Sequence, residues 1–160
     1  MVQNIWIWQI YDRVHTRRKI YALALEEAKK AESEDEVPVG AVIVRDGEMV
    51  SRAYNTREYG KNALYHAEIK AIDEACKKLG GWRLVGCTMY VTLEPCPMCA
   101  GAIVNARVER VVFGAPDNKA GAFGTMLNLT DYPLFRPQIT SGVLKDDCAK
   151  ILTEFFKKKR

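Results

Sequence analysis

Apolar residues recur every three or four positions from about Arg17 to Glu32, at Ile20, Leu23, Ala24, Ala28 and Ala31, and this spacing predicts a first helix. The helix runs into the acidic stretch Glu32-Ser33-Glu34-Asp35-Glu36, which reads as a solvated loop. Residues 1–16 do not fit a core pattern and are expected to form an N-terminal extension ahead of a single domain spanning 17–160. The continuous apolar run Val39–Val44 predicts a buried strand, and Asp46-Gly47 is a strong hairpin signal leading to a return strand over Met49–Asn55. After the polar loop Thr56–Asn62, a helix is expected from Tyr65 to Leu79. Ile69, Ile72, Ala75, Cys76 and Leu79 would lie on one face, and Gly80-Gly81 would end it. A third strand, Thr88–Leu93, is interrupted by Pro95, and Pro97 opens a short apolar helix over Met98–Asn105. Arg110–Gly114 reads as a fourth strand. A Gly-rich loop (Ala115–Gly124) and a helical turn then lead to a short strand at Gln138-Ile139-Thr140 and an amphipathic helix over Leu144–Lys158. Strands alternating with helices imply an α/β fold, a sheet covered on both faces and opened by an antiparallel hairpin.

Composition narrows the class. With 160 residues, 48% of them hydrophobic and 28% charged, the chain is suited to one well-buried core and not to disorder, collagen-like repeats or a disulfide miniprotein. The net charge of +4 is unevenly placed: residues 1–25 carry +3, residues 26–36 carry −4, and Lys157-Lys158-Lys159-Arg160 carry +4. Basic ends of this kind read either as solvated termini or as a nucleic-acid contact, with Phe155-Phe156 able to serve as a stacking platform or as core anchors. The apolar run Val2–Tyr11 precedes its basic residues, the reverse of a secretory signal, and no stretch has the roughly 18 apolar residues of a membrane span. An odd count of five cysteines and no such signal point to a reducing, cytoplasmic setting, where paired cysteines imply metal or redox chemistry before disulfides.

Three soft-metal ligands then stand out. Cys96 and Cys99 sit one helical turn apart at a helix start, where the dipole favours thiolate, and His66 begins a separate helix. Cys76, Cys87 and Cys148 read as buried small hydrophobes, which leaves three ligands and one open position, the arrangement of a catalytic zinc. A closed structural zinc and a redox Cys-x-x-C are the alternatives. Glu68, two residues beyond His66, is too close along the helix to share its face. It reads as a proton carrier over the open position, against the plainer alternative of an exposed acid at a helix start.

His66-Ala67-Glu68 with Pro95-Cys96-Pro97-Met98-Cys99 resembles the signature of the zinc-dependent cytidine/deoxycytidylate deaminase superfamily. Further pieces are most similar to the bacterial tRNA-specific adenosine deaminases: Glu36–Ala41, Tyr54-Asn55, Trp82-Arg83-Leu84, Tyr90–Cys96, Arg110–Ala115, Asp117–Gly121 and Gly142-Val143-Leu144. The resemblance implies a three-layer α/β/α cytidine-deaminase-like fold with a central mixed sheet of about five strands. It implies one Zn²⁺ per chain on His66, Cys96 and Cys99, with Glu68 as the catalytic proton carrier. It implies substrate contacts at Val39, Asn55, Ala67, Asp117 and Lys119, and it implies a homodimer acting on adenosine in a tRNA anticodon loop to make wobble inosine. Leu134-Phe135-Arg136 stands where that branch usually has Asn-His-Arg, and Tyr65 where a small residue is common. These departures leave a free nucleobase or nucleoside (guanine, cytosine or a relative) as the alternative substrate. A catalytically silent RNA-binding partner subunit is the alternative of a different class.

Overall fold

The computed structural model describes residues 5–160, with side chains from Thr16 onward; the first four residues of the expected extension lie outside the described residues. Helix α1 spans Ile5–Ser33, starting well before the Arg17 expected from periodicity. Its buried line is Tyr21, Ala24, Ala28 and Ala31, with Glu27 beside them, while Ile20 and Leu23 are only half-buried. Close approach explains this rotation. A Cβ on Gly40 would collide with the Ala24 carbonyl and the Ala28 backbone nitrogen, so alanines and a glycine face each other where larger residues would hold helix and sheet apart.

Strands β1 (Gly40–Arg45) and β2 (Glu48–Tyr54) form the expected hairpin. Asp46 and Gly47 both have positive φ, 52° and 80°, the two-residue turn that matches strand twist. Helix α2 (Ala67–Leu79) ends at Gly80, whose φ of 71° lets its N–H reach the Cys76 carbonyl. The buried residues of α2 are Ala67, Glu68, Ala71 and Ala75, whereas Ile72, Cys76 and Leu79 pack at the edge of the core. The expected face was therefore turned toward its bulky residues, for the same reason as in α1. Strand β3 (Cys87–Leu93), helix α3 (Pro97–Ala106) and strand β4 (Arg110–Ala115) follow, then a 3₁₀ turn at Leu129–Asp131, strand β5 (Gln138–Thr140) and helix α4 (Lys145–Lys158).

The sheet order is β2-β1-β3-β4-β5, with β1 antiparallel to both neighbours and β3, β4 and β5 mutually parallel. Alternate residues of each central strand feed two cores. Ala41, Ile43, Met89, Val91, Val111 and Phe113 pack with the α2 and α3 side, and Val42, Val44, Tyr90 and Val112 with Tyr21, Ala24 and Cys148 on the other. The result is the mixed, five-stranded three-layer sandwich that the resemblance implies. No helix among the described residues is long and apolar enough to cross a membrane. The start of β1 and the ends of β2, β3 and β4 meet at one edge of the sheet, since Gly40 pairs with Tyr54, Ala41 with Val91 and Leu93 with Ala115. The loops that leave this edge build the site.

Candidate functional site

His66 is the last extended residue before α2 (φ −73°, ψ 152°), and Cys96 holds the same place before α3 (φ −71°, ψ 172°). Neither side chain caps its own helix, so imidazole and thiol are free to turn toward each other. Pro97 occupies the first turn of α3, where its missing N–H removes nothing from the helix, and Cys99 follows in that turn. His66 Nδ1 lies 3.7 Å from Cys96 Sγ and 3.5 Å from Cys99 Sγ, and the three ligand atoms all fall within 4.8 Å of one another. Among the described residues this is the group of His, Cys and acidic side chains that could hold a metal ion.

The donor chemistry fits a soft divalent cation. The hydrogen bond from Cys99, supported by one from His66, draws the Cys96 thiol down to about 4, while its bond to Cys96 and burial push the Cys99 thiol up. His66 is raised above its ordinary value, chiefly by its hydrogen bond with Cys96. Two sulfurs and an imidazole nitrogen so arranged divide protons unequally among themselves, and a cation taking thiolate and imidazole ligands can take the protons' place. Both helices point their positive ends at this cluster, which favours its anionic forms. Two thiols and one imidazole fall short of the four ligands of a closed structural site.

Glu68 is buried, being 4% exposed, so it is not the solvated helix-start acid of the alternative reading. Burial pushes its carboxyl up to about 7. It lines the same cavity as His66 and Cys96, a cavity of about 160 Å³. For scale, an apolar cavity of about 150 Å³ accepts a benzene ring, so this one suits a single planar ring system.

The structure brings Val39, Asn55, Ala67 and Asp117 to the wall of that cavity, as the resemblance implies, together with Val37, Arg57 and Ala120. Lys119 is different. It lines a separate groove with Phe156, Lys157, Lys159 and Arg160 of the α4 end. Asn55 is held in place: its Nδ2 donates to the Val37 carbonyl at 3.2 Å, and its Oδ1 accepts the Arg57 N–H at 3.3 Å. It is thus both a turn-forming asparagine and a cavity residue. Asp117 likewise accepts the Lys119 and Ala120 N–H groups at 2.9 and 3.2 Å while lining the cavity. Tyr65 faces away from the cavity, its ring against Gly60, where a Cβ would collide with it. Phe135 lies beside the Arg107 guanidinium, 5.7 Å from its ring centroid, and is not part of the cavity wall.

Two carboxylates escaped sequence reasoning. Glu36, expected in a solvated loop, is 1% exposed and accepts the Glu58 and Tyr59 N–H groups at 3.1 and 2.6 Å. Glu94, also 1% exposed, accepts the N–H groups of Asp117, Phe123 and Thr125 at 3.0, 3.1 and 3.1 Å, and the Thr125 hydroxyl as well. Each ties down a loop that carries cavity residues. The one hint in the sequence is position: Glu94 stands between an apolar strand and Cys96, and Glu36 two residues before Pro38.

The MafB19-like deaminase family matches residues 15–160. The tRNA-specific adenosine deaminase of Bacillus subtilis (strain 168) is 55% identical over 139 residues, covering 86% of each chain. A structure from work on A-to-I editing by tRNA:A34 deaminases at the wobble position superposes with a TM-score of 0.82 at 42% identity, covering 84% of this chain and 99% of that one. A guanine deaminase structure from Bacillus subtilis is less similar: TM-score 0.60 and 37% identity, covering 62% of this chain and 64% of the other. The chain belongs to the MafB19-like deaminase family, within which its similarity lies with the tRNA-specific adenosine deaminases.

Proposed function

We propose that this protein is a zinc-dependent hydrolytic deaminase that converts adenosine to inosine at the wobble position of a tRNA anticodon. The observation that carries the reading is the buried Glu68 sharing one ring-sized cavity with the His66, Cys96 and Cys99 donors. The similarity to tRNA-specific relatives supports the substrate. His66, Cys96 and Cys99 would hold the zinc, which supplies Lewis acidity that brings a water's pKa toward neutrality.

Glu68, whose burial raises its carboxyl to about 7, can both accept and release a proton near neutral pH. It takes a proton from the attacking water and delivers it to N1 of the adenine ring as the C6–O bond forms. It carries the second proton to the amino group as the C6–N bond breaks. One water enters and one ammonia leaves for each inosine formed. Val39 and Ala67 offer apolar contact to the base. Asn55, with one lone pair of Oδ1 left after its bond to Arg57, can accept from a base N–H. Asp117 and Lys119 contact the RNA on either side of the loop they share.

In this reading residues 17–160 form one deaminase domain with residues 1–16 as an extension, the protein works in the cytoplasm where tRNA is modified, and it assembles as a homodimer. The test offers purified protein an anticodon stem-loop, free bases and nucleosides separately, and weighs the products. A gain of 1 Da in the stem-loop adenosine alone is expected. Turnover of a free base alone overturns the tRNA reading in favour of the free-base alternative. No turnover of any substrate by zinc-loaded protein would point to the silent subunit.

A further inference from the structure

Tyr59 is 83% exposed, the most exposed large apolar side chain among the described residues. Exposure of this kind usually accompanies a loose loop, but the backbone here is tightly held. The Tyr59 and Glu58 N–H groups are bound by the buried Glu36 carboxylate, the Gly60 N–H reaches the Thr56 carbonyl at 2.8 Å, and the Asn62 N–H reaches the Arg57 carbonyl at 3.1 Å. Tyr65 packs over Gly60 from the other side. The ring itself has no aromatic or cationic partner among the described residues. A fixed backbone carrying a bare ring is a preorganised contact surface.

The surroundings say what it would contact. Tyr59 forms one side of a cavity of about 530 Å³ whose apolar surface comes from Val37, Phe155 and Phe156, and Val37 also lines the catalytic cavity. Two of the carboxylates around it are paired with cations, Glu58 with Arg57 and Asp35 with Lys159, while Glu34 accepts only the neutral Tyr54 hydroxyl. Among the described residues the walls therefore keep one carboxylate without a cationic partner, Glu34, which repels phosphate and leaves the aromatic surface to an uncharged ring. Phe156 and Lys159 also border the groove lined by Lys119, Lys157 and Arg160. An aromatic groove that repels phosphate, beside a cationic one, matches a single nucleic-acid strand, with bases in the first and phosphates in the second.

Resting on the tRNA reading, the geometry points to Tyr59 as a stacking platform for a nucleobase that flanks the target nucleotide. Tyr59 selects single-stranded RNA over a free base and takes no part in the proton transfers at Glu68.

The test compares kcat and KM of the wild type, Tyr59→Ala and Tyr59→Trp on the stem-loop, and on stem-loops with an abasic residue at each position next to the target. Tyr59→Ala should raise KM by roughly 5- to 100-fold with kcat little changed, and Tyr59→Trp should restore KM. At one flanking position the abasic substrate should weaken the wild type as much as Tyr59→Ala does, with no further loss when the two are combined. An unchanged KM, or losses that multiply at both positions, overturns the assignment while leaving the tRNA reading intact. A change in sedimentation of Tyr59→Ala makes the residue a subunit contact and also overturns it. A wild type that leaves the stem-loop unchanged overturns the tRNA reading, and the role of Tyr59 with it.

Discussion

Glu68 sits on the first turn of α2 with its carboxylate out of water, and burial raises its pKa to about 7 against the opposing pull of the neighbouring His66. A carboxyl poised there is worth most as a proton carrier, since it is neither permanently charged nor permanently protonated at neutral pH. Glu68→Gln should therefore retain the metal, with unchanged metal content by elemental analysis, and lose about 10²- to 10⁴-fold in turnover. An unaltered rate would remove Glu68 from the chemistry. The ligand trio and Glu68 were legible because their spacing in the sequence already encodes helix starts and helix faces. Glu36 and Glu94 were not, because each bonds N–H groups 22 or more residues away, and no local pattern separates such an acid from a solvated one. Their packing also explains a glycine: a Cβ on Gly121 would collide with the Glu94 carboxylate.

At the scale of elements, periodicity found the strands and the helices α2, α3 and α4 to within a few residues, but it misplaced the buried faces of α1 and α2. A stripe search weights large apolar residues, whereas these helices approach the sheet through Ala24, Ala28, Ala71 and Ala75. The end of α4 shows a division of labour that charge counting missed. Phe155 is buried and Phe156 is 48% exposed, so one anchors the helix and the other faces the grooves. Lys158 pairs with Glu32 and Lys159 with Asp35, so part of the basic tail is spent on the acidic end of α1. Each single-strand phosphate contact contributes about 0.7 to the salt dependence of binding, so four free cations would contribute roughly 3. Deleting residues 157–160 should weaken stem-loop binding and lower the slope of log K against log salt by only about 1 to 2. A titration at several salt concentrations measures this, and an unchanged slope would exclude the tail from the RNA.

Across the whole molecule, one edge of the sheet gathers residues from positions as distant as Val39 and Asp117. A metal there would tie α2 to α3 through the side chains of His66, Cys96 and Cys99. An ion that binds the folded chain and not the unfolded one stabilises it by mass action, about 2.7 kcal/mol at a hundred times Kd. Stripping the metal with a chelator should lower Tm by about 5–10 °C, and adding zinc back should restore it. Calorimetry on the two forms checks this, and identical melting curves would argue against a metal joining the two helices.

The opposite edge of the sheet carries the Asp46-Gly47 turn, with both residues exposed and their backbone already in the left-handed region. Every loop that shapes the cavity leaves from the other end of these strands. A hairpin tip with that geometry is where a chain tolerates interruption best. The fold thus has a natural port for a tether, a label or an inserted domain, through which the protein can be attached to a surface or a second module with its cavity still facing outward.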